Sequence, residues 1–233
     1  MYIPGFNKVI EPKLLTTLDG SKTLWIEEFN EPYHSIYGAI EESLHVFIHA
    51  GLGNVDHQKQ NLQILEVGLG TGLNALLAWD YAHQHHLSIH YLGVEPFPPA
   101  TSLLLQLDYP SYCQSNEAQN AYAKILSAFH QTEESRIDDL FWLKVIQDDY
   151  RKISYPAESY DCIFFDAFRP DIVPELWETH ALQILYDALA YNGVLVTYSA
   201  KGQVRRNLHS CGFLIEKLPG PRGKREITLA RKR

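Results

Sequence analysis

The chain has 233 residues, of which 45% are hydrophobic and 21% charged, and its formal net charge is −8. That length suits one large α/β domain with an appendage, and the ordinary apolar-to-charged balance excludes a disordered or fibrous chain. No apolar run approaches bilayer length, the N-terminus lacks a signal-peptide pattern, and Cys113, Cys162 and Cys211 form no C-x-x-C pair; a cytoplasmic protein with free thiols and no membrane partner is expected.

Residues 1–60 lack the apolar runs of a parallel-sheet core and are expected to form an N-terminal β-hairpin and helix extension. Leu14–Leu18 and Ser21–Ile26 read as strands joined by a tight Asp19-Gly20 turn. Tyr33 and His34 fall in a loop, where lining a site competes with plain loop packing. Gly38–Ala50 sets Ile40, Leu44, Phe47 and Ile48 at helical spacing, and residues 51–60 read as a polar linker.

The main domain is expected over 61–233, organised around QILEVGLGTGLNALLAW, Gln63 to Trp79. Ile64, Leu65 and Val67 form a short apolar run suited to a strand buried on both faces, Gly68, Gly70 and Gly72 follow at once, and Leu73–Trp79 reads as a helix. Glycines let the backbone approach a ligand closely, and the free N–H groups of a helix start favour a polar group. The spacing is Gly68-x-Gly70-x-Gly72 and not G-x-G-x-x-G, so a pyrophosphate is disfavoured. Glu66, just before the turn, would repel a pyrophosphate but hold a cation. S-adenosylmethionine carries two, a sulfonium and an ammonium; a plain tight turn is the alternative.

His83–His86 has no Cys or further His at ligand spacing, so a polar helix end and no metal are expected. Ile89–Val94 reads as the next strand and delivers Glu95 about 20 residues beyond the glycines, where a doubly wound fold places an acid against ribose hydroxyls. Leu103–Leu107 and Ala118–Phe129 have helical periodicity, interrupted around Asp108–Ser115. Phe141–Ile146 is a third strand; Asp148 and Asp149 after it can reach an adenine amine or cap a helix. Tyr160–Asp166 ends with Asp166 at the carboxyl edge, where such folds place their chemistry. A proline-containing loop, a helix over Glu175–Ala190, a strand over Val194–Ser199 and a helix over Gly202–Ser210 follow. Gly212–Leu218 and Arg225–Arg231 are spaced as an antiparallel edge pair. A mixed sheet ending in an antiparallel strand is the Rossmann-like arrangement of class I S-adenosylmethionine-dependent methyltransferases.

Charge is unevenly placed. Residues 201–233 hold ten Lys or Arg against Glu216 and Glu226, a balance of +8, which leaves −16 on the first 200 residues. A basic face able to meet phosphates and a solvated tail are both consistent with this.

LEVGLGTGLNALLAW, DAFRPDIVPELW (Asp166 to Trp177), TYSAKGQVRRNL (Thr197 to Leu208) and GFLIEKLPGPRGKREITLA (Gly212 to Ala230), in this order, resemble the MnmC-type tRNA methyltransferase domain from about Leu18 to the C-terminus. The resemblance implies methylation, with S-adenosylmethionine, of the aminomethyl group of 5-aminomethyl-2-thiouridine at the tRNA wobble position. Many family members are fused to a flavin-dependent oxidase domain. This chain ends at Arg233 with no second glycine fingerprint, so a stand-alone form is expected, with the aminomethyl intermediate supplied separately.

The resemblance assigns Glu66, Gly68, Gly70, Thr71, Gly72 and Asn74 to the cofactor loop, Glu95 to the ribose, Asp149 or its neighbour Asp148 to adenine, and Asp166 to the substrate amine. Arg169, Asp171, Ile172 and Val173 stand where the family commonly has small or Lys/Asn residues. Asp166 is expected to orient the amine first and accept its proton second, because an unshifted carboxylate with a pKa near ~4 is a poor base. Tyr198, Tyr33 and His34 are candidate pocket walls, and Lys201, Arg205, Arg206, Lys224 and Arg225 candidate phosphate contacts. The competing readings are an aminopropyltransferase-like or other small-amine enzyme, which has no use for a basic segment, and a non-catalytic RNA-binding module, which has no use for a cofactor cradle.

Overall fold

The computed structural model describes residues 11–56 and 58–233. The start of the extension, residues 1–10, over which no targeting segment is expected, lies outside the described residues. Strands β1 (Lys13–Thr16), β2 (Lys22–Ile26) and β3 (Glu31–Pro32) form a small antiparallel sheet. The hairpin is joined by Thr17–Ser21, a wider connection than a two-residue turn. Asp19 organises it, its Oδ1 accepting from Thr17 Oγ1 at 2.6 Å and Ser21 N at 2.9 Å. The expected single helix over Gly38–Ala50 is α1 (Ala39–Ser43) running into a π-helical turn over Leu44–His49. The wider turn aims three consecutive side chains, Val46, Phe47 and Ile48, at the core. Leu52 in the expected polar linker is fully buried.

The main sheet then builds as β4 (Asn61–Val67), α2 (Leu73–His85), β5 (Ser88–Val94), α3 (Thr101–Leu104), α4 (Ala118–Ala128), β6 (Ser135–Arg136) and β7 (Phe141–Ile146). It continues through β8 (Tyr160–Phe165), α5 (Thr179–Ala188), β9 (Leu189–Thr197), α6 (Gly202–Ser210), β10 (Leu214–Pro219) and β11 (Glu226–Arg231). The strand order is β10-β11-β9-β8-β4-β5-β7-β6. β4 runs parallel to both β5 and β8, β5 to β7, and β8 to β9. β11 is antiparallel to β9 and β10 to β11, so the antiparallel strand lies one position inside an edge formed by β10. The predicted helix over Glu175–Ala190 divides at Glu178, whose extended backbone separates a 3₁₀ turn over Pro174–Trp177 from α5.

β4 is buried on both faces, as its apolar run requires. Ile64 packs with α2 and α4 residues and the π-helical turn, while Leu65 packs on the other side with α5 and α6 residues. Parallel register has a direct consequence for function. Val67 pairs with Val94 and with Phe165, and Val94 pairs with Ile146, so β4, β5, β7 and β8 end level with one another. The residues that follow them, Gly68, Glu95, Gln147 and Asp166, therefore meet at one sheet edge. That edge is where the strand order reverses, the place where open α/β sheets bind ligands.

Candidate active site

A cleft of about 810 Å³ opens at the level carboxyl ends. Gly68, Leu69, Gly70 and Thr71 line it on one side, Glu95, Asp148 and Asp149 at one end, and Asp166, Tyr198 and Lys224 at the other, with Tyr33 and His34 in the opposite wall. Gly68, Gly70 and Gly72 all have positive φ. A Cβ on Gly68 would lie 2.5 Å from the Asp166 carbonyl oxygen, so glycine is what allows the glycine loop and the Asp166 segment to touch.

Glu95 Oε2 accepts from Gly70 N and Oε1 from Phe97 N, both at 2.9 Å, which fixes the carboxylate in the cleft with lone pairs remaining for hydroxyl donors. Burial pushes its pKa up, against the two backbone N–H donors. Thr71 lines the same wall, with its buried hydroxyl set beside the hydroxyl of buried Tyr109. Asp149 is held by Arg151, whose Nε lies 2.9 and 3.1 Å from its two oxygens, and this guanidinium keeps the carboxyl below its usual value. Asp148, the more open of the pair, accepts from Asp149 N at 2.7 Å and lies 3.5 Å from Lys152. A close-approach glycine loop, a fixed strand-end acid and the acid pair Asp148 and Asp149 form a lining that fits S-adenosylmethionine.

Three expected cofactor residues do not reach the cleft wall. Gly72 caps the start of α2 against Ile125, while Glu66 and Asn74 lie behind the loop. Glu66 is fully buried, with Oε1 accepting from Asn74 Nδ2 at 2.7 Å and Oε2 from the Tyr91 hydroxyl at 2.7 Å. The same Asn74 nitrogen lies 3.0 Å from Asp166 Oδ2. Glu66 is thus no cation clamp at the cleft surface; it sits beneath Asp166, with Asn74 between the two carboxyls. Burial raises Glu66 to about 8. Burial first, then the charges of Glu66 and Glu42, push Asp166 well above the carboxylate range, opposed by Asn74 and Lys224.

The sign of the pH effect follows. Between the ordinary glutamate pKa of 4.5 and about 8, the folded protein holds a proton on Glu66 that the unfolded chain has released, so stability falls as pH rises through this window. Glu66→Gln is expected to flatten that decline and to unfold roughly 5 °C or more above wild type at pH 8, read by thermal melts from pH 5 to 9.

The loop after Asp166 is anchored from below. Trp177, buried, donates from Nε1 to Phe168 O at 2.9 Å, and Tyr150 donates to Leu176 O at 2.7 Å. Tyr198 donates to Ala167 O at 2.8 Å, and its ring carries Lys224 Nζ at 4.1 Å from the centroid. His34 is buried against Thr23 Oγ1 at 3.1 Å, and burial lowers its pKa to about 4, so it is a neutral wall. Tyr33 meets Phe168 edge-on at 5.6 Å between centroids. Sequence reasoning missed Glu31 and Glu42, both buried and lining this end. Their signal was weak, because each lies in the N-terminal extension, far in sequence from the basic residues it pairs with. Arg169 Nε lies 2.6 Å from Glu31 Oε2, and Lys224 Nζ 2.5 Å from Glu42 Oε1.

Those pairs change the reading of the basic segment. Arg205 is tied to Thr228 Oγ1, Glu226 and Ile227 O, Lys201 pairs with Asp171, Arg231 with Glu216, and Lys232 is buried on Tyr186 O and Leu189 O. Lys224 turns into the cleft. Of the five expected phosphate contacts, Arg206 and Arg225 are exposed, Arg225 within reach of the charge of Glu226, and Lys201 is exposed beside the cleft. His83 lies 2.8 Å from Asp138 Oδ2 at the end of α2, and among the described residues no group of three or more His, Cys, Asp or Glu is arranged for a metal. No described helix is long and apolar enough to cross a membrane.

Residues 113–233 match the family described as S-adenosyl-L-methionine-dependent methyltransferase. Over 213 residues the chain is 28% identical to the tRNA 5-methylaminomethyl-2-thiouridine biosynthesis bifunctional protein MnmC of Marinomonas sp. (strain MWYL1), a match covering 87% of this chain and 31% of that protein. The protein of the same name from Aromatoleum aromaticum is 31% identical over 213 residues, covering 88% and 33%. The chain thus spans about a third of the length of these relatives. The crystal structure of MNMC2 from Aquifex aeolicus superimposes with a TM-score of 0.74 at 26% identity, covering 98% of this chain and 72% of that one. A sheet that reverses its order at a glycine loop, a cleft lined by acids suited to a nucleoside cofactor, and the match over the C-terminal half make this chain a member of the S-adenosyl-L-methionine-dependent methyltransferase family.

Proposed function

We propose that the protein methylates the aminomethyl nitrogen of 5-aminomethyl-2-thiouridine at the tRNA wobble position, giving the 5-methylaminomethyl product. The observation that carries this reading is Asp166, a cleft-lining carboxyl with a raised pKa set against the cofactor loop. The named relatives, which act in the biosynthesis of that nucleoside, supply the substrate. A tRNA substrate also implies work in the cytoplasm and, for this stretch of chain, an aminomethyl group made by another active site.

S-adenosylmethionine, when bound, supplies an electrophilic methyl group on a sulfonium; Gly68, Gly70, Thr71, Glu95 and the Asp148/Asp149 pair would hold it. The chain's other residues must deliver a neutral amine and dispose of its proton. Asp166 accepts a hydrogen bond from the amine and so orients its lone pair. Its raised pKa also makes it a better base than an unperturbed carboxylate. Proton acceptance therefore ranks beside orientation. Tyr33, Phe168 and Tyr198 give this end of the cleft an aromatic lining, which favours in-line positioning of the amine.

The direct test is transfer of labelled methyl to tRNA carrying 5-aminomethyl-2-thiouridine, with unmodified tRNA alongside. Label confined to the wobble nucleoside is expected; label in neither RNA, with cofactor bound, would sink the assignment. Phosphate contacts are checked by salt dependence. Arg206→Ala and Arg225→Ala are each expected to lower the slope of log K against log salt by about 0.7–0.9. Arg205→Ala should leave the slope alone and lower the melting temperature, because its guanidinium ties α6 to β11.

A further inference from the structure

We propose that Glu42 and Lys224 form a seat for the imide edge of the pyrimidine ring, with Glu42 Oε1 accepting the ring N3–H and Lys224 Nζ donating to the neighbouring carbonyl oxygen or its sulfur counterpart. The proposal deepens the function proposed above and rests on it.

Glu42 is buried on α1 yet lines the cleft. Its Oε2 accepts from Ser35 N at 2.6 Å, which fixes the carboxylate. Oε1 is buried and lies 2.5 Å from Lys224 Nζ. That contact engages one of the oxygen's two lone pairs, and the other has capacity for an N–H. Lys224 brings three donors, and the Glu42 oxygen and the Tyr198 ring at 4.1 Å do not exhaust them. The lysine's place is set by its loop: a Cβ on Gly223 would lie 2.2 Å from the Tyr37 ring, so the backbone before Lys224 is pressed against that aromatic.

Uracil and 2-thiouracil present a donor, N3–H, flanked by acceptors. A carboxylate beside an ammonium matches a donor next to an acceptor. Cytosine, with an acceptor at N3, would oppose two acceptors at Glu42. The pair also stands near the chemistry, since the charges of Glu42 and Lys224 both act on Asp166. A pyrimidine held by its imide edge would extend its 5-substituent away from the seat, which suits delivery of an aminomethyl group to Asp166.

The test compares methyl transfer to anticodon stem-loop RNAs carrying 5-aminomethyluridine or its N3-methyl derivative, by wild type, Glu42→Leu and Lys224→Met. Wild type is expected to lose on the order of 10-fold to 100-fold in kcat/KM on N3-methylation, the scale of a specific base-edge contact. Glu42→Leu should lose a similar factor on the unmethylated RNA and then be indifferent to the methyl group. Lys224→Met should raise KM about 10-fold with S-adenosylhomocysteine affinity unchanged. An N3-methyl penalty as large in Glu42→Leu as in wild type overturns the seat, and so does a wild type indifferent to N3-methylation. Should Glu42→Leu fail to fold, the wild-type comparison and Lys224→Met still decide. If wild type methylates neither RNA, the proposed function fails. The seat is then judged by binding of the same two RNAs in the presence of S-adenosylhomocysteine, where equal affinities overturn it.

Discussion

Asp166→Ala is expected to lower kcat for methyl transfer by about 10³-fold or more, the combined scale of a lost proton acceptor and a misoriented nucleophile. Affinity for S-adenosylhomocysteine should change little. The reason lies in which atoms do which work. The Asp166 backbone carries the structural contacts: its N–H donates to Val67 O at 2.9 Å, and its carbonyl packs against Gly68. Alanine keeps both. Only the carboxyl is lost, and with it the acceptor for the amine. Asp166→Asn sharpens the test, because its carbonyl can still accept from Asn74 Nδ2 while it can take no proton. If orientation dominates, the asparagine variant should recover a substantial part of the alanine loss; if proton acceptance dominates, the two should be equally slow, and the acid limb of the kcat profile should vanish from both. Single-turnover transfer across pH, with calorimetric binding of S-adenosylhomocysteine alongside, reads all of this. A kcat within a few-fold of wild type in Asp166→Ala would remove Asp166 from the chemistry. A thermal melt of each variant separates loss of fold from loss of chemistry, since both change the contact of Asn74 Nδ2 with the residue at 166.

What the sequence disclosed and what it hid divide along a physical line. Strands β4, β5, β7 and β8 were legible because each is a short apolar run followed by a polar or glycine turn, and level parallel strands then bring Gly68, Glu95, Asp148 and Asp166 together with no further information. Side-chain direction was not legible. Glu66 immediately precedes the turn, but strand alternation places it on the Ile64 face, under α2, where Tyr91 and Asn74 satisfy it. Long-range pairing was not legible either. Ten basic residues in 33 positions look like a phosphate-binding face until their acids are found, and those acids, Glu42, Asp171 and Glu158 among them, come from segments far away along the chain. The raised Asp166 pKa has the same origin: it depends on burial and on Glu66 and Glu42, which no linear motif places against Asp166.

A large loss of stability is expected at Gly68, and a series of three Gly→Ala variants separates its causes. At Gly53 an added Cβ meets nothing nearer than Ile48 O at 3.7 Å, so Gly53→Ala should be within about 0.5 kcal/mol of wild type. At Gly20, in the hairpin connection, φ is +86° and no atom lies within 4 Å; Gly20→Ala isolates backbone strain and should cost about 1–2 kcal/mol. At Gly68, φ is +90° and the added carbon falls 2.5 Å from Asp166 O, 2.9 Å from Asp166 C and 3.2 Å from Ala167 N. All three are backbone atoms, and none can swing aside as a side chain would. Relief must come from parting the ends of β4 and β8, against the Asp166 N to Val67 O hydrogen bond. Strain and clash together should therefore cost about 3–5 kcal/mol, near the upper end of single substitutions, and lower the melting temperature by roughly 10 °C. Cofactor binding should fail in parallel, because the displaced loop carries Gly70, and Gly70 N is a donor to Glu95. A Gly68→Ala protein that melts like Gly20→Ala would show that the loop and the Asp166 segment part easily. In that case their contact could not be what holds the glycine loop against the Asp166 segment.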